Sequence, residues 1–230
     1  KTDVNIDFSK SSGKIKLSYG ANEDDNWVDF VNYPQIHNFH KDVNSEYIRV
    51  LVSSPSYRES TIPIQEDGTH DFINLDKFIN AVLKSDAIPF IVFAHAPGTY
   101  GKGYGEDPPT NDNEFADYVQ TIVQHYKDAC QNNQLAKPCN INDWYFEIWN
   151  EPYTDIWWED DLPRYVTMYN AVYPRIRGIA PNAKVGGYSG WFWDDRKNNV
   201  RLKKFLQNSE VDFISIHHYG NVINEYASEK

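Results

Sequence analysis

Six short runs that read as near-continuous apolar strands recur along the chain, at residues 15–19, 47–52, 88–94, 144–149, 183–187 and 211–216. Between them, 27–39 (disturbed by Pro34), 75–83, 115–129, 163–179 (with Pro174 as a kink) and 200–206 carry apolar residues at helical spacing. A strand without polar alternation is buried on both faces, and strands that alternate with helices pair in parallel. The segments that follow the strands are long and irregular, notably 53–72 and 95–111, whereas the helix-to-strand returns are mostly shorter. That asymmetry predicts an α/β fold of the (β/α)8 TIM barrel type with a functional C-terminal face. A doubly wound sheet is the competing architecture. Against it, no Gly-x-Gly-x-x-Gly follows the first run, and Gly101-Lys-Gly-Tyr-Gly105 lacks a strand–turn–helix context. The chain supplies about six strands where a closed barrel needs eight. Residues 1–230 therefore read as one domain, strands one to six of a catalytic barrel, with strands seven and eight outside this chain.

With 230 residues, 40% of them hydrophobic and 15% aromatic, the chain can bury a sizeable core. A formal net charge of −11 argues against nucleic acid or an anionic membrane as a partner. No run approaches the ~20 apolar residues that span a bilayer. Cys130 and Cys139 lie in a hydrophilic stretch before the fourth strand. A local disulfide in a secreted protein and two free thiols in a cytosolic one both fit, and secretion is the expectation adopted.

Chemistry concentrates where the strands end. The fourth run stops at Asn150-Glu151-Pro152. A carboxyl group at the tip of a buried strand, beside an amide and ahead of a proline that ends the ladder, is placed for acid–base work. A surface Glu in a turn is the alternative for this position. Arg49 lies within the second strand, where a cation must find a carboxylate or bear a desolvation penalty. It fits a structural ion pair as well as a site residue. His95 ends the third strand, and His217 and Tyr219 end the sixth. A rim or core histidine would look the same, but four such strand ends on one barrel face point together to a site.

The run Trp144-Tyr-Phe-Glu-Ile-Trp-Asn-Glu-Pro152 resembles the acid/base strand of clan A glycoside hydrolases, and most of all that of family 39. Pro108-Pro109, Trp157-Trp158, Val185-Gly186-Gly187 and Asp212-Phe-Ile-Ser-Ile-His-His-Tyr219 agree with that family in order and spacing. The resemblance implies a retaining double displacement on a β-linked, xylosidase-type glycoside, with no metal or cofactor. Glu151 would be the general acid/base, and Asn150 would bond the substrate 2-hydroxyl. Arg49 would hold the nucleophile ionised. His95, His217 and Tyr219 would line the sugar subsite, with Trp157 and Trp191 (and their neighbours Trp158 and Trp193) stacking on sugar rings or packing in the core. Tyr153 and the Ala94-His95-Ala96-Pro97 strand end depart from the family and bear on which sugar is preferred.

In this clan the nucleophile is a Glu at the end of strand seven, which is expected outside this chain. The implied partners are an oligosaccharide or polysaccharide substrate and a second polypeptide fragment that completes the barrel. The rival is a non-catalytic carbohydrate-binding barrel remnant without a nucleophile.

Overall fold

The computed structural model describes residues 19–23, 26–53, 60–64, 68–94, 96–97, 108–152, 158, 161–191 and 195–217. Six strands form one parallel sheet in the order β1-β2-β3-β4-β5-β6: Tyr19–Asn22, Ser45–Val52, Ile88–Phe93, Tyr145–Ile148, Lys184–Trp191 and Phe213–His217. The connecting helices are α1 (Trp27–Asn32), α2 (Pro34–Asp42), α3 (Ile73–Lys84), α4 (Asp112–Gln131), α5 (Leu162–Ile179) and α6 (Asp195–Asn208). Consecutive parallel strands joined by helices are the βαβ repeat of a barrel, and the strand order steps around it without crossing.

Alternate residues of each strand face opposite ways. On the outer face Ile48, Val50, Ile91, Phe93, Phe146, Ile148 and Val185 are buried in one cluster with Phe78, Ile79 and Val82 of α3, Val119 and Ile122 of α4, and Val172 and Ile176 of α5. Removing each of these side chains from water contributes roughly 1.5–3 kcal/mol, which holds the helices on the sheet. On the inner face, rings from four strands meet. Tyr145 lies 4.8 Å from Tyr47, 5.6 Å from Phe90 and 5.4 Å from Phe213 between centroids. This aromatic layer fills the bottom of the barrel and leaves the polar residues one layer above it.

Several boundaries differ from the sequence expectation. The single helix over 27–39 is two, because Tyr33 is extended (φ −110°, ψ 95°) and Pro34 starts α2 at its first turn. Helix α4 begins before Phe115, since Asn111 caps it by accepting from the backbone N–H groups of Asn113 and Glu114. Pro174 sits inside one continuous α5. Strand β1 takes in Gly20, Ala21 and Asn22, which read as a polar loop, because the ladder to Tyr47, Ile48 and Arg49 defines it rather than side-chain hydropathy; residues 15–18 lie outside the described residues. Strand β6 is not buried on both faces. Phe213, Ser215 and His217 face inward, whereas Ile214 and Ile216 on the outer side are 38% and 53% exposed.

Cys130 and Cys139 form a disulfide, with Cα atoms 5.1 Å apart, that ties the end of α4 to the approach to β4. No helix of the described residues is long and apolar enough to cross a membrane.

Candidate active site

Strand β4 positions Glu151. After Ile148 the backbone turns through two left-handed residues, Trp149 (φ 71°) and Glu151 (φ 48°). Such conformations cost about 1–3 kcal/mol each for residues with a Cβ, and they persist only where the surroundings over-determine them. Here the Trp149 N–H donates to the Phe93 carbonyl at 3.0 Å. Its ring is fully buried, edge-on to Phe115 and Trp158 at 5.8 and 5.1 Å. Pinning Trp149 on the outer side leaves Asn150 and Glu151 to the inner side, where each keeps 6% exposure.

Glu151 Oε1 lies 2.6 Å from His217 Nδ1, at the tip of β6. One proton sits between two groups at this distance. Either the imidazole donates to the carboxylate or a protonated Glu151 donates to the ring nitrogen. Asn150 is held from the other side, its Oδ1 accepting from Arg49 Nη2 at 2.9 Å. With that oxygen turned toward Arg49, the opposite end of the amide, its NH2 group, is the one left for a ligand. Asn150, Glu151, Arg49 and His217 thus meet although up to 168 positions separate them in sequence (217 − 49).

Beneath them lies a residue that the sequence reading passed over. Glu147, in the middle of β4, is fully buried. Its Oε2 accepts from Arg49 Nε at 3.3 Å and Nη2 at 3.2 Å, and its Oε1 accepts from the hydroxyls of Ser189 and Ser215. Removing one partner from such a buried pair costs about 3–5 kcal/mol, because the other charge is left stranded. The signal was present in the sequence: a lone acidic residue within one apolar run, matched by a lone Arg within another. Arg49 thus makes a buried ion pair with Glu147, one of the two readings its place in the second strand allowed.

Strand β5 delivers Ser189 through an irregularity. The β5–β6 register shifts between Gly187 and Gly190, and Gly187, Tyr188 and Ser189 have φ of 152°, 82° and 41°. A bulge of this kind re-aims side chains at a barrel rim. Here it brings the Ser189 hydroxyl onto Glu147, while the Tyr188 N–H points to the Tyr165 hydroxyl at 3.3 Å.

Of the other residues proposed from sequence, His95, Trp157 and Tyr219 lie outside the described residues, as does the side chain of Trp191. Trp158 is core rather than a stacking platform: it is 1% exposed and lies edge-on to Trp149 and Tyr165. Arg164 is tied to Asp112 and to the Pro109 carbonyl. Among the described residues, no group of three His, Cys, Asp or Glu side chains is arranged to hold a metal ion.

Comparison with known proteins gives a consistent answer. The model of Glycosyl hydrolases family 39 matches residues 6–230. A beta-xylosidase of Geobacillus stearothermophilus is 26% identical over 141 residues, which cover 57% of this chain and 27% of that protein. A monomeric beta-xylosidase from Caulobacter crescentus CB15 superposes with a TM-score of 0.66 at 22% identity, over 89% of this chain and 42% of that one. The family 39 enzyme from Xanthomonas axonopodis pv. citri gives 0.63 at 19% identity, over 89% and 40%. The chain thus spans about a quarter of the curated relative and less than half of these solved structures. The six-stranded sheet is a partial TIM barrel of the kind those structures contain.

Proposed function

Because the chain belongs to glycosyl hydrolases family 39, we propose that it is part of a glycoside hydrolase that acts on β-linked, xylosidase-type glycosides by a retaining double displacement. Glu151 is the acid/base residue. The observation that carries this reading is its contact with His217 at 2.6 Å, beside an Asn150 whose oxygen is already taken by Arg49. A carboxyl group that shares a proton with an imidazole can give that proton to a departing glycosidic oxygen and later take one from water. Asn150 is left to donate to the sugar 2-hydroxyl, a contact that strengthens in the transition state.

The nucleophile is a second carboxylate about 5–5.5 Å from Glu151. We place it on a seventh strand that pairs with β6, the last strand of the described sheet, with a following helix covering Ile214 and Ile216 on the outer face. Whether that polypeptide is continuous with this chain or a separate bound fragment is settled by denaturing mass spectrometry of the purified protein. The Cys130–Cys139 disulfide supports secretion into an oxidising compartment.

The test uses the complete barrel. Glu151→Gln should abolish hydrolysis of substrates with poor leaving groups and largely spare activated aryl glycosides. In Glu151→Ala, azide should restore turnover of an aryl β-xyloside and yield the β-glycosyl azide. Equal loss on both substrate types without rescue would contradict the assignment and favour a non-catalytic sugar-binding barrel.

A further inference from the structure

Glu147 takes no part in the scheme above, yet every strand that builds the site converges on it. Its two oxygens collect four hydrogen bonds: two from Arg49 of β2 and one each from Ser189 of β5 and Ser215 of β6. It stands one inward position below the Asn150–Glu151 tip of its own strand. The Arg49 nitrogen that reaches Glu147 at 3.2 Å, Nη2, also reaches Asn150 Oδ1 at 2.9 Å.

An asparagine amide is nearly symmetric in shape. Its oxygen and its NH2 group occupy almost the same volume, so the hydrogen-bond partner decides which end faces which way. Arg49 has only donors and therefore fixes the oxygen toward itself. Arg49 in turn has a long, flexible stem that is 18% exposed. What anchors its planar fork is the fully buried Glu147 carboxylate, itself oriented by two hydroxyls.

Resting on the glycosidase reading, we propose that Glu147 is a positioning residue. Acting through Arg49, it sets the amide face of Asn150 and so the strength of the contact to the substrate 2-hydroxyl. A purely structural ion pair would affect all substrates alike. A positioning role acts only on substrates that carry the 2-hydroxyl.

The experiment compares kcat/KM for an aryl β-xyloside and its 2-deoxy analogue in wild type, Glu147→Gln, Asn150→Ala and the double variant, each checked for native circular dichroism. Glu147→Gln is expected to reduce the preference for the 2-hydroxy substrate by roughly tenfold or more, as Asn150→Ala does, and the double variant should add little, because coupled residues are not additive. An unchanged preference in Glu147→Gln, with both substrates slowed equally, overturns the proposal. Ser215→Ala removes one donor without changing charge and covers the case in which Glu147→Gln fails to fold. It should give a smaller loss of the same preference, and an unchanged preference there also counts against the proposal.

A second readout is independent of turnover. In 1H–15N spectra of the folded chain, the Asn150 side-chain amide and the Arg49 Nε–H should both shift in Glu147→Gln (in Ser215→Ala if that variant does not fold). If Arg49 shifts and Asn150 does not, the coupling is absent. Wild-type protein with a complete barrel that hydrolyses no β-glycoside refutes the functional reading, and the spectra then decide the positioning claim on their own.

Discussion

His217 Nδ1 sits 2.6 Å from Glu151 Oε1, so the last residue of β6 and the first residues after β4 share one proton. Because β5 lies between those strands, the contact reaches over the tip of β5. It can form only where both strand ends lean toward a common centre.

Loss of this partner should slow the step in which Glu151 protonates the leaving group, because the carboxyl is no longer held in place. A hydrogen bond to an ionisable group contributes about 1.5–3 kcal/mol, which corresponds to roughly 10- to 150-fold in rate. His217→Ala is expected to lower kcat by that factor on glycosides with poor leaving groups and by less on activated ones. His217→Asn keeps a donor near the Nδ1 position and should recover part of the loss. Identical kinetics in wild type and His217→Ala would show that the contact has no catalytic consequence.

The glycine at position 186 is required by the sheet. A Cβ built there overlaps the Phe213 carbonyl oxygen and comes within 2.8 Å of the Phe213 ring. Neither is the far end of a flexible chain, so β5 and β6 must part. Gly186→Ala should destabilise the protein by about 1–3 kcal/mol, the usual range for overpacking. It should also lower activity, because β6 carries His217. A melting temperature within a degree of wild type would contradict this.

The disulfide closes a short loop between α4 and β4. Chain-entropy arguments give about 2–3 kcal/mol for a loop of this size. The Cys130→Ser/Cys139→Ser variant, or wild type under reductant, should lose that much stability in urea unfolding while its activity at low temperature stays near normal, since the bridge lies far from Glu151 along β4. An unchanged urea midpoint would show that the bridge contributes nothing to stability.

His37 gives the protein a pH-dependent component of stability. Its ring is buried and donates to the Phe30 carbonyl at 2.6 Å. Burial holds its pKa below the ordinary value of about 6.5, with Lys84, Lys41 and His40 pushing the same way and the Phe30 carbonyl opposing them. The unfolded chain therefore binds this proton more readily than the folded one. The contribution is complete above pH about 6.5 and is lost as the pH falls through the depressed folded value. Between pH 7.5 and 5, wild type should lose more thermal stability than His37→Gln. Equal losses would assign the acid sensitivity to other groups.

The run 144–149 and the motif Asn150-Glu151-Pro152 were enough to locate a buried parallel strand with an acid at its tip, because burial on two faces leaves a continuous apolar signature and proline stops a ladder. The βαβ alternation, and the places of Arg49 within a strand and His217 at a strand end, were legible for the same local reasons. Other features carried no local signal. Strand β1 runs through Gly20 and Asn22 because β2 pairs with them, and pairing is a property of the neighbour. Trp158 and Trp149 look identical to a sugar platform in sequence, and only packing against Phe115 and Tyr165 makes them core. Glu147 was in plain view, but its meaning depends on Arg49, Ser189 and Ser215, which lie 98, 42 and 68 positions away. Sequence by itself determined the repeating unit and the strand tips, since hydrophobic burial and turn chemistry act over a few residues. Tertiary structure alone decided which tips meet and how a buried charge is balanced, because the curvature of the sheet and the bulge in β5 bring together groups that no local rule connects.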